Sequence, residues 1–329
     1  MKAILAFGAL AAALPVASPV AAQAVGAAAE GPVIRVTVLG SGTPVPSRDQ
    51  AGTAILVEAG GRKLLFDCGR GCTTRLAQRD PALVAGVDLL FLTHLHSDHV
   101  AGVPDLWLNG WTQGRAAPLR IWGPKGTKRL MAGLRKAFAD DIRYRLDDGI
   151  PANDDGLKRA VTMIKRDGVV FDEGGLRVTA FRVHHGDHLP AYGYRIDFGG
   201  KSVLISGDTG PTPALAANGG GADVALMEVV SPPMAAYVRR SFAPDQAEKV
   251  LALHLSAAEA ADVLAAIRPG LAVYYHTVAN CPAEAALRAA TAPRFAGPLL
   301  VARDLTEITI LADRIETSAP PGAPECEGR

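Results

Sequence analysis

The period of apolar and polar positions changes several times along this chain of 329 residues, and the changes outline its elements. Val33 to Leu39 alternates, which predicts a strand with one buried face. Ser41-Gly42-Thr43-Pro44 closes it with turn residues. Ala54 to Ala59 and Lys63 to Asp67 flank Gly60-Gly61, a hairpin pattern. Val87 to Thr93 is almost continuously apolar, as in a strand buried on both faces, and it runs directly into His94. Helical spacing follows from Ala101 to Trp111, then a short strand from Leu119 to Trp122 and a helix from about Thr127 to Ala139. The stretch Asp140 to Asp167 is polar, charged and poorly periodic. It reads as an insertion or a mobile loop over a site, with Lys158 to Arg166 as solvated surface.

Alternation returns from Leu176 to His184. Tyr192 to Phe198, Gly199-Gly200 and Ser202 to Ile205 predict a second hairpin, and Ala222 to Val230 a further strand. Ser256-Ala257-Ala258-Glu259 has the form of a capping box opening a helix to Ile267. Pro269-Gly270 stops that helix, and Leu271 to Tyr275 is a strand ending at His276. Hairpins mixed with strand–helix alternation predict an α/β chain with two sheets in the middle and helices outside.

Composition narrows this picture. Hydrophobic residues make up 49% and charged residues 20%, enough for a substantial core without disulfides. The formal net charge of +1 gives no global pull towards nucleic acid or a membrane surface. Lys2, the apolar run Ala3 to Leu14 and the small-residue site Ala22-Gln23-Ala24 have the form of a secretory signal. Residues 1–24 are therefore expected to be removed, leaving a domain over 31–312 and a flexible Pro/Gly-rich tail over 313–329. The expected location is periplasmic or extracellular, with no stable membrane insertion. Of the four cysteines, Cys281 and Cys326 are candidates for a disulfide, whereas Cys68 and Cys72 read as small packing residues.

The chemistry is concentrated. Three of the eight histidines fall in His94-Leu95-His96-Ser97-Asp98-His99. Zinc takes imidazole nitrogen and carboxylate oxygen at about 2.0–2.2 Å. His94 and His96 alternate around Leu95 and can point the same way, while Asp98 and His99 diverge, so one loop can feed two metals. Further candidates end other strands: His184 and His185, Asp208 in Ser206-Gly207-Asp208-Thr209-Gly210, and His276. Asp67 ends a strand too, where it could orient a ligand histidine or cap a helix. Trp107 and Trp111 share one helix face, as a pocket wall or as core.

These motifs resemble the metallo-β-lactamase superfamily, with Thr93 to His99 as its T-H-x-H-x-D-H run. Val36-Thr37-Val38-Leu39-Gly40-Ser41-Gly42-Thr43-Pro44, Leu65-Phe66-Asp67-Cys68-Gly69, Ala191-Tyr192-Gly193-Tyr194-Arg195 and Ser206-Gly207-Asp208-Thr209 look like its ribonuclease Z and zinc-type arylsulfatase branch. The resemblance implies a four-layer αββα sandwich and two zinc ions, with manganese or iron as other occupants. His94, His96 and His185 would hold one ion. Asp98, His99 and His276 would hold the second, and Asp208 would bridge. His184 and His188 remain alternatives to His185. His254, before the capped helix, looks like the catalytic histidine of ribonuclease Z-like members, which binds no metal. Two departures stand out: Met227-Glu228 replaces a His-Glu pair, and no long glycine- and proline-rich arm is present.

The implied activity is an exported dinuclear-zinc hydrolase of a small anionic ester, an aryl sulfate or phosphodiester. A metal-bridging hydroxide would attack, oriented by Asp98 and Asp208, with His254 assisting departure. No nucleic-acid partner is expected, and a homodimer is compatible. The competing expectation is a lactonase or other carboxylic-ester hydrolase, whose cue would be Tyr192, Tyr274 or Tyr275 near the metals.

Overall fold

Alternating burial along the strands divides their side chains between two layers of core. The computed structural model describes residues 33–151, 153–278, 280–320 and Cys326. The expected signal over residues 1–24 lies outside the described residues.

One sheet begins with β1 (Ile34–Gly40), β2 (Ala54–Ala59), β3 (Arg62–Phe66), β4 (Leu89–Phe91), β5 (Leu119–Gly123) and β6 (Arg159–Met163). The second holds β7 (Gly168–Glu173), β8 (Leu176–Val183), β9 (Ala191–Phe198), β10 (Lys201–Ile205), β11 (Val224–Glu228), β12 (Leu271–Tyr275) and β13 (Leu299–Val301). β14 (Thr306–Ile310) and β15 (Ile315–Ser318) return to the first sheet, whose order is β15-β14-β1-β2-β3-β4-β5-β6. The second runs β13-β12-β11-β10-β9-β8-β7. Ile55, Val57, Phe66 and Phe91 meet Val178, Tyr194, Ile205 and Tyr275 in the core between the sheets. The intervening residues Leu56, Leu65 and Leu90 face outward, under helices.

Those helices are α1 (Cys72–Arg79), α2 (Ala82–Gly86), α3 (Ser97–Val100), α4 (Val103–Thr112), α5 (Thr127–Ala137) and α6 (Ala139–Asp147) around the first sheet. On the second half lie α7 (Pro213–Gly219), α8 (Pro232–Ser241), α9 (Pro244–Leu251), α10 (Ala257–Ile267) and α11 (Cys281–Thr291). The result is the four-layer αββα sandwich. α10 opens on the expected capping box, in which Ser256 Oγ accepts from Glu259 N and the Glu259 side chain accepts from Ser256 N.

Asp140 to Asp167 departs from the expected loop. It carries most of α6, a 3₁₀ turn at Asp155–Leu157 and the edge strand β6. Its periodicity is faint because α6 buries only Ile142 and β6 is only partly covered. Trp107 and Trp111 are fully buried in the core, with their indole N–H groups donated to Leu157 O and Asn153 O. They anchor this segment instead of walling a pocket. Part of the expected tail is structured among the described residues: β15 pairs with β14, and Cys326 forms a disulfide with Cys281. Cys68 and Cys72 are buried thiols.

Arg115 is a cation with no sequence signal, only 2% exposed. Its guanidinium donates to the carbonyls of Val84, Val87, Leu106 and Trp107 and ties α2 to α4. Bonds from a charged donor are worth about 1.5–3 kcal/mol each, and orphaned carbonyls add a penalty. Arg115→Met is expected to lower the unfolding free energy by roughly 3 kcal/mol in urea titration. A loss below about 1 kcal/mol would show that water replaces the guanidinium at little cost.

Candidate metal centre

β3 to β6 run parallel, and so do β10 to β13, so their carboxyl ends gather at one edge of the sandwich. That edge receives His94 just beyond β4, Asp208 beyond β10 and His276 beyond β12. Glu228 ends β11 there. β9 fastens the histidine loop to the other sheet: Tyr192 N donates to Thr93 O, and Tyr194 Oη donates to Leu92 O at 2.7 Å.

Asp67 organises the first part of the site. Thr93 N and Thr93 Oγ1 both donate to its carboxylate at 2.7 Å, and His99 Nδ1 donates to its Oδ2 at 2.7 Å. Thr93 Oγ1 thereby commits its O–H to the bond with Asp67, so at 3.0 Å it accepts from His94 Nδ1. The outward tautomers follow, since a bond at Nδ1 leaves the lone pair on Nε2. Asp67 is therefore the orienting carboxylate, and not a helix cap: α1 starts after Gly71. Asp67 and His276 hold φ of 56° and 52°, a left-handed conformation that costs about 1–2 kcal/mol at both strand ends. Gly69 is required by close approach, because a Cβ there would lie 2.0 Å from Asp98 O.

Two donor clusters result. His94 Nε2 and His185 Nε2 lie 3.0 and 3.1 Å from His96 Nδ1. His185 is oriented by Leu253 O, which accepts from its Nδ1 at 2.9 Å. The second cluster joins Asp98, His99, Asp208 and His276. Asp98 Oδ2 is 3.1 Å from His276 Nε2 and 3.5 Å from His99 Nε2. Asp208 Oδ2 lies between the clusters, 3.3 Å from His99 Nε2, 3.4 Å from His276 Nε2 and 3.9 Å from both His94 Nε2 and His185 Nε2. His184 and His188 lie outside both clusters and line a neighbouring pocket.

The residues fit divalent cations. Three ring nitrogens crowd to about 3 Å with lone pairs inward, and His99 Nε2 and Asp208 Oδ1 are buried without a hydrogen-bond partner. A bound cation satisfies all of these. Burial pushes His94, His96 and His185 down towards the neutral imidazole that metals bind. Burial opposes charge on Asp208 as well, but His276 and His99 outweigh it and hold the carboxyl well below its usual range.

Glu228 is the functional residue that sequence reasoning left without a role. It is fully buried. Oε1 accepts from Thr209 N and Leu255 N at 3.1 Å each, and Oε2 faces His254 Nδ1 at 3.3 Å and His276 Nδ1 at 3.9 Å. A lone carboxylate ending an apolar strand was the available signal. His254 stacks on His276, with ring centroids 5.6 Å apart. Burial disfavours its charge, but the Glu228 carboxylate and its hydrogen bond prevail and raise the pKa to about 9. Glu228 thus favours the protonated form of His254 beside the clusters. Met227 is buried in the core under α10.

A polar pocket of about 650 Å³ adjoins His185 through His184 and Gly186. Lys125, Lys165, Arg182 and His188 line it with one carboxylate, Asp187. Two of the tyrosines expected near metals in a lactonase are committed elsewhere: Tyr192 Oη donates to Ile164 O and Tyr274 Oη pairs with Thr291 Oγ1, while Tyr275 lies in the core between the sheets with its hydroxyl buried and unpaired among the described residues.

An αββα sandwich with paired His/Asp clusters at its parallel-strand edge defines a metal-dependent hydrolase. Residues 62–277 match the model of the β-lactamase superfamily domain, and the chain belongs to that superfamily, in its ribonuclease Z-like branch. It is 33% identical to ribonuclease Z of Mycobacterium marinum over 289 residues, covering 85% of this chain and 100% of the relative. Ribonuclease Z of Mycobacterium avium is 34% identical over 284 residues, covering 84% and 99%. The fold is shared with the metallo-β-lactamase fold protein YhfI of Bacillus subtilis, at TM-score 0.62 and 20% identity over 83% of this chain and 98% of that one. Human tRNase Z, short form, aligns at TM-score 0.61 and 21% identity over 84% and 99%. Relatives named as ribonucleases weigh against the expectation of no nucleic-acid partner.

Proposed function

We propose that the protein is an exported, two-zinc hydrolase of a small anionic ester, with a phosphodiester preferred over an aryl sulfate. The observation that carries this reading is the single oxygen Asp208 Oδ2, set 3.3 to 3.9 Å from histidines of both donor clusters. Bound divalent ions supply a water nucleophile at neutral pH and a Lewis acid for the ester oxygen.

The chain's own residues do the rest. Asp98 and Asp208 accept hydrogen bonds from the attacking water and orient it. His254, held by Glu228, donates a proton to the departing oxygen. Lys125, Lys165 and Arg182 outnumber the one carboxylate, Asp187, so the pocket beside His185 offers net positive charge to a substrate anion. The relatives' name, ribonuclease Z, favours a phosphodiester over a sulfate. Export is supported by the N-terminal signal pattern and by the Cys281–Cys326 disulfide, a bond at home in oxidising compartments. Export and a net charge of +1 favour a small substrate over a tRNA precursor.

Zinc-loaded protein is expected to turn over bis(4-nitrophenyl) phosphate faster than 4-nitrophenyl sulfate, a lactone panel or a tRNA precursor. The double variant Lys165→Glu, Arg182→Glu should raise KM for the phosphodiester at least roughly thirtyfold, at about 1 kcal/mol per exposed charge contact. A lactone should respond little. Lactone opening with no phosphodiester turnover would overturn the reading.

A further inference from the structure

We propose that an apolar cavity beside His254 receives the alcohol that leaves, and that this alcohol carries an alkyl or aryl group larger than a phenyl ring. The inference rests on the ester-hydrolase reading above and specifies its substrate.

The cavity measures about 450 Å³ and has His254 and His276 in its wall. Val45 comes from the β1–β2 loop, Val230 from the segment after β11, Met234 and Tyr237 from α8, Phe242 from the α8–α9 turn and Leu251 from α9. No Lys, Arg, Asp or Glu lines it among the described residues. Val45, Tyr237 and Phe242 are 47%, 46% and 46% exposed, large apolar side chains left in water around one concavity. Exposed apolar surface gathered in a cleft marks a binding site.

Its occupant follows from what it borders. His254 is both in the wall of this cavity and bonded to Glu228. The group next to the proton donor is the one that departs. The cationic pocket lies at His184 and Gly186, flanking His185, and suits the part that stays anionic. In the reaction, the oxygen of water bonds to phosphorus and the bond from phosphorus to the alcohol oxygen breaks. That oxygen keeps the electron pair and takes the proton of His254, and the proton released by water returns to His254 through solvent. A cavity of about 150 Å³ holds benzene, so this one admits a larger group.

The test uses methyl phosphate esterified with phenol, 4-butylphenol or 2-naphthol, alcohols of similar acidity. Each buried methylene contributes a factor of about four, so kcat/KM should rise at least roughly tenfold from phenyl to 4-butylphenyl. Moving the butyl group to the non-leaving side should abolish the gain. Phe242→Asp and Val45→Asp, at exposed positions, should collapse the ratio between the two esters. Calorimetry of 4-butylphenol with metal-free protein gives a second readout, with binding expected in the parent and lost in both variants. Equal hydrolysis of all three esters overturns this inference and leaves the hydrolase reading intact. Binding of 4-butylphenol without turnover of any ester keeps the pocket and removes the phosphodiester. Absence of both binding and a gradient removes the pocket.

Discussion

Asp208→Ala is expected to lower kcat/KM by roughly a thousandfold, about 4 kcal/mol of transition-state stabilisation. The Oδ2 atom reaches histidines of both clusters, so its loss would break the link between the two proposed cation positions. It would also remove the negative charge proposed to offset two cations in a buried site. Asp208→Asn keeps the volume and loses the charge, and should fall nearly as far. Metal analysis should show less than the parent's content in both variants. Because a bound ion stabilises only the folded chain, chelation should lower Tm in the parent and shift it less in Asp208→Ala. Full activity in Asp208→Asn would sink the bridging role.

His254→Ala costs activity in a way that depends on the leaving group. Proton donation is worth about 10²–10⁴ when a poor leaving group needs it. An alkyl phosphodiester should therefore lose at least roughly a hundredfold in kcat. A 4-nitrophenyl ester departs as a stable anion and should lose less than about tenfold. Metal content should stay at the parent level: His254 joins the overlapping groups with His185 and Asp208 and with Glu228 and His276, but its Nδ1 faces Glu228 at 3.3 Å and neither His94–His96–His185 nor Asp98–His99–Asp208–His276 needs it. Glu228→Gln keeps an acceptor for Thr209 N and Leu255 N but removes the charge facing His254. Its loss should be smaller, with the same dependence on leaving group. Equal losses on both esters, or loss of metal, would assign His254 to the metal site.

Several site features were legible because they depend on neighbours in the chain. The His94–His99 run places three imidazoles and a carboxylate in one loop whatever surrounds it. The Gly60-Gly61 and Gly199-Gly200 turns take positive φ where only glycine is unstrained, so both hairpins stand out locally. Ser256 and Glu259 cap their helix through contacts three residues apart. The strands ending at Asp208 and His276 were visible from apolar runs, and strand ends are where a parallel edge presents side chains.

Other features depended on distant partners. Asp140 to Asp167 reads as a loop because α6 and β6 sit at the periphery and bury too little to impose a period. Two tryptophans hold it, and only the packed structure shows to what they bond. Arg115 is buried because four carbonyls from two helices converge on it, a coincidence of tertiary position.

The sequence by itself determined the ligand types, the loop that offers most of them and the sandwich that presents them, because these follow from local spacing and strand periodicity. Tertiary structure alone decided that Asp208 Oδ2 stands between the clusters and that Glu228 holds His254. It also set a charged pocket at His184 and an apolar one at His254. Those relations join residues far apart in the chain, and only closure of two sheets on one core sets their distances. The candidate metal-binding groups were thus written locally, while the pockets beside them emerge only where the two sheets meet.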